Sequence, residues 1–332
     1  MKRLGVGVAG LGVGEAHAKA FAALASCELR WLYDLDPARA RAVAESLGHG
    51  RCAGGFGELL DDAAVDIVAV ASYDDAHCAQ VVAALNARKH VFVEKPFGRT
   101  LDEVRAVKDA WRGAGRHLAS NLVLRSAPAY RWLKDAIGRG ELGDVYAFDG
   151  DYLYGRVEKI TDGWRGRVDD YSVMTGGAVH LIDLMLWTTG QRPERVAAEG
   201  NRLATAGTAF RYDDFRAATF RFPSTLVGRI TANFGCVHRH QHVVRVFGTK
   251  ATFICDDQGP RLFTSRGQTS AARLDLETLP ASKGDLIPAF VEQIVSGAVA
   301  DGSVQHECDV ISACAAADRA ARAGAVIDVE YV

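Results

Sequence analysis

The chain has 332 residues, of which 48% are apolar and 24% charged, with a formal net charge of −2. That length exceeds what one ordinary hydrophobic core supports and suits two domains. Lysine and arginine are scattered, so no basic stripe points to nucleic acid or to an anionic membrane surface, and no apolar run reaches the roughly 18 residues of a membrane span. Met1-Lys2-Arg3-Leu4 leads directly into a strand, without the apolar stretch and cleavage site of a signal peptide, so a cytoplasmic protein is expected. The seven cysteines (27, 52, 78, 236, 255, 308 and 314) are odd in number and widely spaced, which argues against a disulfide framework.

The first third alternates strands and helices. Residues 3–9 read as a strand and 15–25 as an Ala-rich helix, then 28–33 as a second strand. Asp36-Pro37 supplies an N-cap and a first-turn proline for a helix to Leu47. Val65 to Ala71 is a continuous apolar run, as in a strand covered on both faces. Asp74 is expected to cap a helix running to Arg88. Residues 90–93 form the next strand, Thr100-Leu101-Asp102-Glu103 opens a helix to Gly113 as a capping box, and 117–123 form a further strand. This repetition implies a doubly wound parallel sheet over residues 1–123, a Rossmann domain in an α/β protein.

Residues 124–332 read as a second, α+β domain. A helix is expected over Ser126–Ile137 and a strand over 144–154. The polar segment 155–172 reads as an irregular loop over a site, and 177–188 as an apolar helix. Short alternating segments from 194 to about 280, such as Thr219–Phe222, Leu226–Phe234 and His242–Phe247, predict a large, mostly antiparallel sheet with an open face. Helices at 285–297 and 308–323 close the chain. An apolar patch on the open face would exceed what soluble monomers tolerate, so a homodimer or homotetramer through this sheet is expected. Cys236, His238, His240 and His242 invite a zinc reading. On one strand face, however, cross-strand neighbours fill the space as readily as a metal, and no metal is expected.

Strand 1 runs into Gly10-Leu11-Gly12-Val13-Gly14. Glycines there let the backbone turn and approach a pyrophosphate, whose charge rests on the amides of the following helix. Asp34, at the end of strand 2, lies where a carboxylate binds the adenosine ribose and repels a 2′-phosphate. This favours NAD over NADP, although Arg39 and Arg41 are near enough in sequence to reach a phosphate. A simple turn-capping role for Asp34 is the alternative.

Glu94-Lys95-Pro96 follows the strand at 90–93. The carboxyl ends of parallel strands are where such sheets bind ligands. Proline restricts the residue before it and so directs Lys95. An amine beside a positively charged nicotinamide loses its proton more easily and can take the proton of an alcohol as hydride leaves. Glu94 can anchor the lysine or a ribose. A second constellation is Gly176-Gly177-Ala178-Val179-His180-Leu181-Ile182-Asp183, which puts His180 and Asp183 on one face of an apolar helix, where each needs a partner or a ligand.

The glycine loop, Asp34, Ser72-Tyr73-Asp74-Asp75-Ala76-His77, Glu94-Lys95-Pro96, Gly-Gly-x-x-His180-x-x-Asp183 and Gly248-Thr249-Lys250 together resemble the glucose–fructose oxidoreductase / inositol dehydrogenase / MocA family along the whole chain. The resemblance implies hydride transfer between NAD(P) and a sugar, nucleotide sugar or cyclitol. It places the family lysine at Lys95, the site histidine at His180, the substrate-contacting aspartate at Asp183, the arginine after the sixth strand at Arg125 and the Trp-Arg pair at Trp164-Arg165. Cofactor contacts then fall on Gly10, Gly12, Val13, Gly14, Asp34, Ser72, His77, Glu94, Lys95, Asn121, Trp164 and Arg165. Two positions depart from the family. Gly176 stands where many members have an aspartate, so that either Lys95 works without it or Tyr171 or Asp183 substitutes. Ser72-Tyr73-Asp74 replaces Thr-Pro-Asn.

Two other function classes use similar parts. A redox-neutral lyase or glycosidase would oxidise a sugar transiently and reduce it again. A non-catalytic NAD-binding regulator would need neither Lys95 nor His180.

Overall fold

The computed structural model describes residues 3–298 and 303–332, and the chain divides into two units: Met1–Val123 with Ala281–Cys308, and Leu124–Pro280 with Asp309–Val332.

In the first unit six parallel strands are ordered β3-β2-β1-β4-β5-β6. They are β1 (Leu4–Ala9), β2 (Cys27–Tyr33), β3 (Arg51–Cys52), β4 (Ile67–Val70), β5 (His90–Val93) and β6 (Leu118–Ser120). The helices are α1 (Gly14–Ala22), α2 (Pro37–Leu47), α3 (Phe56–Asp61), α4 (Asp74–Asn86) and α5 (Leu101–Ala114). Every residue of β4 is fully buried, as its unbroken apolar run required. Asp36 caps α2 by accepting from Ala38 N, and the αL residue Gly48 ends it. Thr100 Oγ1 accepts from Glu103 N, but the Glu103 carboxylate takes Arg99 N instead of closing the capping box. Asp74 is the first residue of α4, not its cap. Tyr73 holds the cap position without a side-chain bond.

The short β3 had no alternating pattern to mark it, and β6 ends at Ser120, where a 3₁₀ turn (Val123–Ser126) follows. The larger difference is the segment 281–308. The sequence division placed it in the second domain, yet it groups with the first unit. Its helix α9 (Ile287–Val295) buries Ile287, Phe290 and Val291 in the cluster that holds Phe21 and Phe92. The i, i+3, i+4 spacing announces a buried face but not the core that receives it.

The second unit is a nine-stranded sheet ordered β14-β13-β12-β11-β7-β10-β9-β8-β15. These are β7 (Val145–Leu153), β8 (Arg195–Asn201), β9 (Phe215–Arg221), β10 (Val227–Asn233), β11 (Gln241–Gly248), β12 (Thr252–Asp256), β13 (Gly259–Phe263), β14 (Ala272–Arg273) and β15 (Ile327–Asp328). β7 and β10 pair in parallel, and the remaining neighbours are antiparallel. The helices are α6 (Pro128–Gly138), α7 (Glu158–Thr161), α8 (Val179–Thr189) and, from Asp309 onward, α10 (Ser303–Ala323), whose first residues belong to the first unit. A π-helical turn, Met174–Ala178, leads into α8, which is apolar almost all round and buried along nearly its whole length. The segment 155–172 is not wholly irregular: it holds α7, which buries Ile160, and a 3₁₀ turn at Trp164–Gly166.

On β7 the buried residues Phe148, Gly150 and Tyr152 alternate with Asp149 and Asp151. At β7 the outward face is therefore charged rather than the apolar patch expected from the sequence. At its middle Asp151 pairs with Arg229 and Arg245, and Arg229 also reaches Asp149. Among the described residues no helix is long and apolar enough to cross a membrane.

Candidate active site

In the first unit the loop after β1 turns at Gly10, whose φ of +81° a side chain rarely adopts, and a Cβ there would overlap the Ser72 backbone. Gly12 faces open space, with no heavy atom nearer to its Cβ position than Arg39 Nη1 at 4.0 Å. α1 starts at Gly14 with no side-chain cap, which leaves its leading amides to an anion. The loop thus forms a cradle shaped for a pyrophosphate. Asp34 closes it: Oδ2 accepts from Leu11 N at 2.6 Å and Oδ1 from Asp36 N at 2.9 Å. Asp34 therefore does cap the turn, and these two bonds fix its carboxylate against the glycine loop at Leu11.

At the carboxyl end of β5, the Glu94 carboxylate accepts from Asn121 Nδ2 at 2.6 Å and from His17 Nε2 at 3.0 Å. Asn121 also donates to Lys283 O at 2.8 Å. Burial alone would push the Glu94 pKa up. The His17 and Asn121 hydrogen bonds and the charge of Lys95 outweigh it and hold the carboxyl at about 2. Glu94 is therefore ionised and held from below, on the residue before Lys95. The bond after Lys95, to Pro96, is cis. His77 is fully buried, with Nδ1 2.8 Å from Pro96 O and Nε2 3.1 Å from Ser72 O. Both ring nitrogens face carbonyls, so His77 ties two loops together instead of presenting a nitrogen to a cofactor. The Ser72 hydroxyl donates to Gln80.

His17 carried no assigned role in the sequence reading. Its signal was present: a histidine on the buried face of α1, four residues before the fully buried Phe21, needs a polar partner. Its Nδ1 and Asn121 Oδ1 are buried and have no hydrogen-bond partner among the described residues.

In the second unit Arg125 donates through Nε to both oxygens of Asp183, at 3.1 and 3.0 Å, and through Nη2 to Oδ1. Asp183 is 1% exposed. The sequence had paired Asp183 with His180 on one helix face; the structure adds Arg125 as the charge partner, brought from the turn before α6. Lys134 lies over the Trp187 ring, and burial followed by repulsion from Arg125 lowers its pKa.

His180 is nearly buried and belongs to an aromatic cluster. Its ring stacks on Tyr152 at 6.5 Å between centroids and meets His242 edge-on at 5.7 Å, while His240 lies 5.0 Å from His242. Tyr152 was not singled out from sequence, because it looks like an ordinary inward residue of an alternating strand, and His242 was weighed there only as a metal ligand. Tyr171 packs edge-on against Phe210 and Phe234. A Cβ on Gly176 would overlap the Tyr171 hydroxyl. The tyrosine therefore occupies the space a side chain at 176 would take. Trp164 and Arg165 stack on each other within the 3₁₀ turn, 4.5 Å apart. The strand β11 begins at Gln241, so Cys236, His238, His240 and His242 do not share a strand face; Cys236 donates to Asn233 O and His238 faces Asp257.

Residues 4–122 match the oxidoreductase family with an NAD-binding Rossmann fold, and residues 130–254 match the GFO/IDH/MocA C-terminal domain. A myo-inositol 2-dehydrogenase from Thermotoga maritima is 28% identical over 260 residues, 76% of this chain and 75% of its own length. Two solved structures share the fold. A levoglucosan dehydrogenase in complex with NADH superposes with a TM-score of 0.88 at 21% identity, covering 100% of both chains. A scyllo-inositol dehydrogenase from Lactobacillus casei, with bound NAD(H) and scyllo-inositol, gives 0.81 at 19%, covering 99% of each.

Proposed function

The chain belongs to the GFO/IDH/MocA family of NAD-binding oxidoreductases, and on that premise we propose that it oxidises a secondary alcohol of a sugar, nucleotide sugar or cyclitol, with Lys95 as the acid/base. The observation that carries this reading is the end of β5. A lysine follows an ionised, doubly hydrogen-bonded Glu94, in the sheet whose first loop is an open glycine cradle closed by Asp34. Relatives that act on inositol support the substrate class.

NAD, when bound, accepts the hydride. The rest is the work of this chain's residues. The cradle amides hold the pyrophosphate and Asp34 the ribose diol. Lys95 takes the proton of the hydroxyl at Nζ. His180 hydrogen-bonds that hydroxyl, fixed in direction by the stacked Tyr152 ring. Arg125, held by Asp183, positions the ring, and the Tyr171 hydroxyl supplies the polar group that an aspartate at 176 would otherwise provide. We further propose that the protein is a homodimer or homotetramer through the nine-stranded sheet. The Asp149, Asp151, Arg229 and Arg245 network supplies polar complementarity on that face.

Reduced nicotinamide formed from a panel of cyclitols, aldoses and nucleotide sugars tests the reading, and its net accumulation separates a dehydrogenase from a redox-neutral lyase. Lys95→Ala should retain cofactor affinity and lose roughly 10²–10⁴-fold in turnover, the usual worth of general acid–base catalysis. Near wild-type turnover on the same substrate would remove Lys95 from the mechanism.

A further inference from the structure

Beside the His180 cluster the second unit carries a cavity of about 740 Å³, between the β11–β13 end of the sheet and the segment 273–279, which is irregular once β14 ends. That volume lies in the range of sites for small organic ligands, roughly 300–1,000 Å³. Main-chain bonds tie the 273–279 segment to its surroundings: Leu274 N donates to Pro260 O at 2.8 Å, and Ala129 N to Glu277 O at 3.0 Å. His240 and His242 line the cavity, and the His242 ring is 5.7 Å from that of His180. The cavity is thus one ring away from the residue that the proposed function assigns to the reacting hydroxyl.

The lining chemistry narrows what fits. Asp256, Asp257, Asp275 and Glu277 line the cavity together with Arg239 and Arg273, and with Arg261 held on Asp256 one carboxylate is in excess. Asp257 is paired with Arg239 at 2.8 Å, and Asp256 with Arg261 at 2.8 Å. The side chains of Arg273, Asp275 and Glu277 hold no hydrogen bond or ion pair among the described residues, and all three are exposed. Carboxylates accept from pairs of neighbouring hydroxyls, and a guanidinium donates to hydroxyl and ring oxygens. A net negative lining repels a phosphate or diphosphate.

We propose that this cavity is a carbohydrate subsite for a second, uncharged sugar ring, so that the substrate is a neutral glycoside or oligosaccharide rather than a nucleotide sugar. The inference rests on the dehydrogenase reading for the ring that reacts at His180. The subsite itself is tested by binding, independently of turnover.

Calorimetry on the whole protein with NAD present, titrating glucose, myo-inositol, maltose, cellobiose, sucrose and UDP-glucose, provides that test. At least one neutral disaccharide should bind roughly tenfold tighter than glucose, the worth of one or two net hydrogen bonds. Glu277→Ala and Asp275→Ala, both at exposed positions, should abolish that gain and leave glucose and myo-inositol within about twofold, a surface substitution's usual effect. The proposal is overturned if no disaccharide outbinds its component ring, if UDP-glucose binds tightest, or if the variants weaken single rings equally. Absence of reduced nicotinamide with every compound would sink the dehydrogenase reading, while the titrations would still decide the subsite.

Discussion

His17 Nε2 lies 3.0 Å from Glu94 Oε1, linking the helix after the glycine loop to the strand end that carries Lys95. The histidine is fully buried and edge-on to Phe92, so its position is set by packing before any ligand arrives. This contact ties the first βα unit to the Glu-Lys-Pro turn.

The linkage has a pH signature. Glu94 titrates at about 2 in the folded protein against an ordinary 4.5. Its contribution is complete above about 4.5 and is lost as pH falls toward 2, on the order of 3 kcal/mol in all. Glu94→Gln should therefore be less stable than wild type near neutral pH, with the difference shrinking in acid. Urea unfolding across this range measures it. A stability gap that stays constant with pH would mean Glu94 is not held ionised.

Asp34 should favour NAD over NADP, and its two backbone bonds add a second consequence. Asp34→Ser should weaken both cofactors, because the loop loses its anchor, while narrowing the preference by roughly tenfold, the value of a hydrogen bond to a charged group. Fluorescence quenching titrations with both cofactors give the constants. Tighter NADP binding by the wild type would overturn the assignment.

Arg125 and Asp183 form a bidentate pair with the carboxylate almost entirely out of water. Breaking such a pair strands a charge and costs about 3–5 kcal/mol. Asp183→Asn and Arg125→Met should each lower the urea midpoint, and the double variant should lose much less than the two single losses combined. Additive losses would show that each residue owes its stability effect to other partners.

Gly176 and Tyr171 compete for one volume. Gly176→Asp alone should destabilise by about 1–3 kcal/mol through overpacking, and adding Tyr171→Ala should relieve most of it. Tyr171→Phe keeps the packing against Phe210 and Phe234 and should lower turnover roughly tenfold, about one hydrogen bond. An unchanged rate in Tyr171→Phe would return the residue to the core.

Local chemistry was legible in the sequence where neighbours along the chain settle it. The glycine loop, Asp34, the Asp36-Pro37 start, the buried run at β4 and the Glu-Lys-Pro turn at the end of β5 each follow from spacing and residue type. The parallel sheet follows from their alternation, because strands separated by helices have few other ways to pair.

Tertiary structure decided everything that depends on partners distant in the chain. It moved 281–308 to the first unit, since an amphipathic helix states which face is buried but not against what. It gave Asp183 to Arg125 and Glu94 to His17 and Asn121, because a buried charge takes whichever donor the fold brings to it. It turned His77 into a strap between two carbonyls and set Tyr171 in the place of a side chain at 176. It put ion pairs on the outer face of the sheet, where alternation alone could not say which charges would meet. Each of these is a choice among partners of similar chemistry, and only three-dimensional proximity makes it.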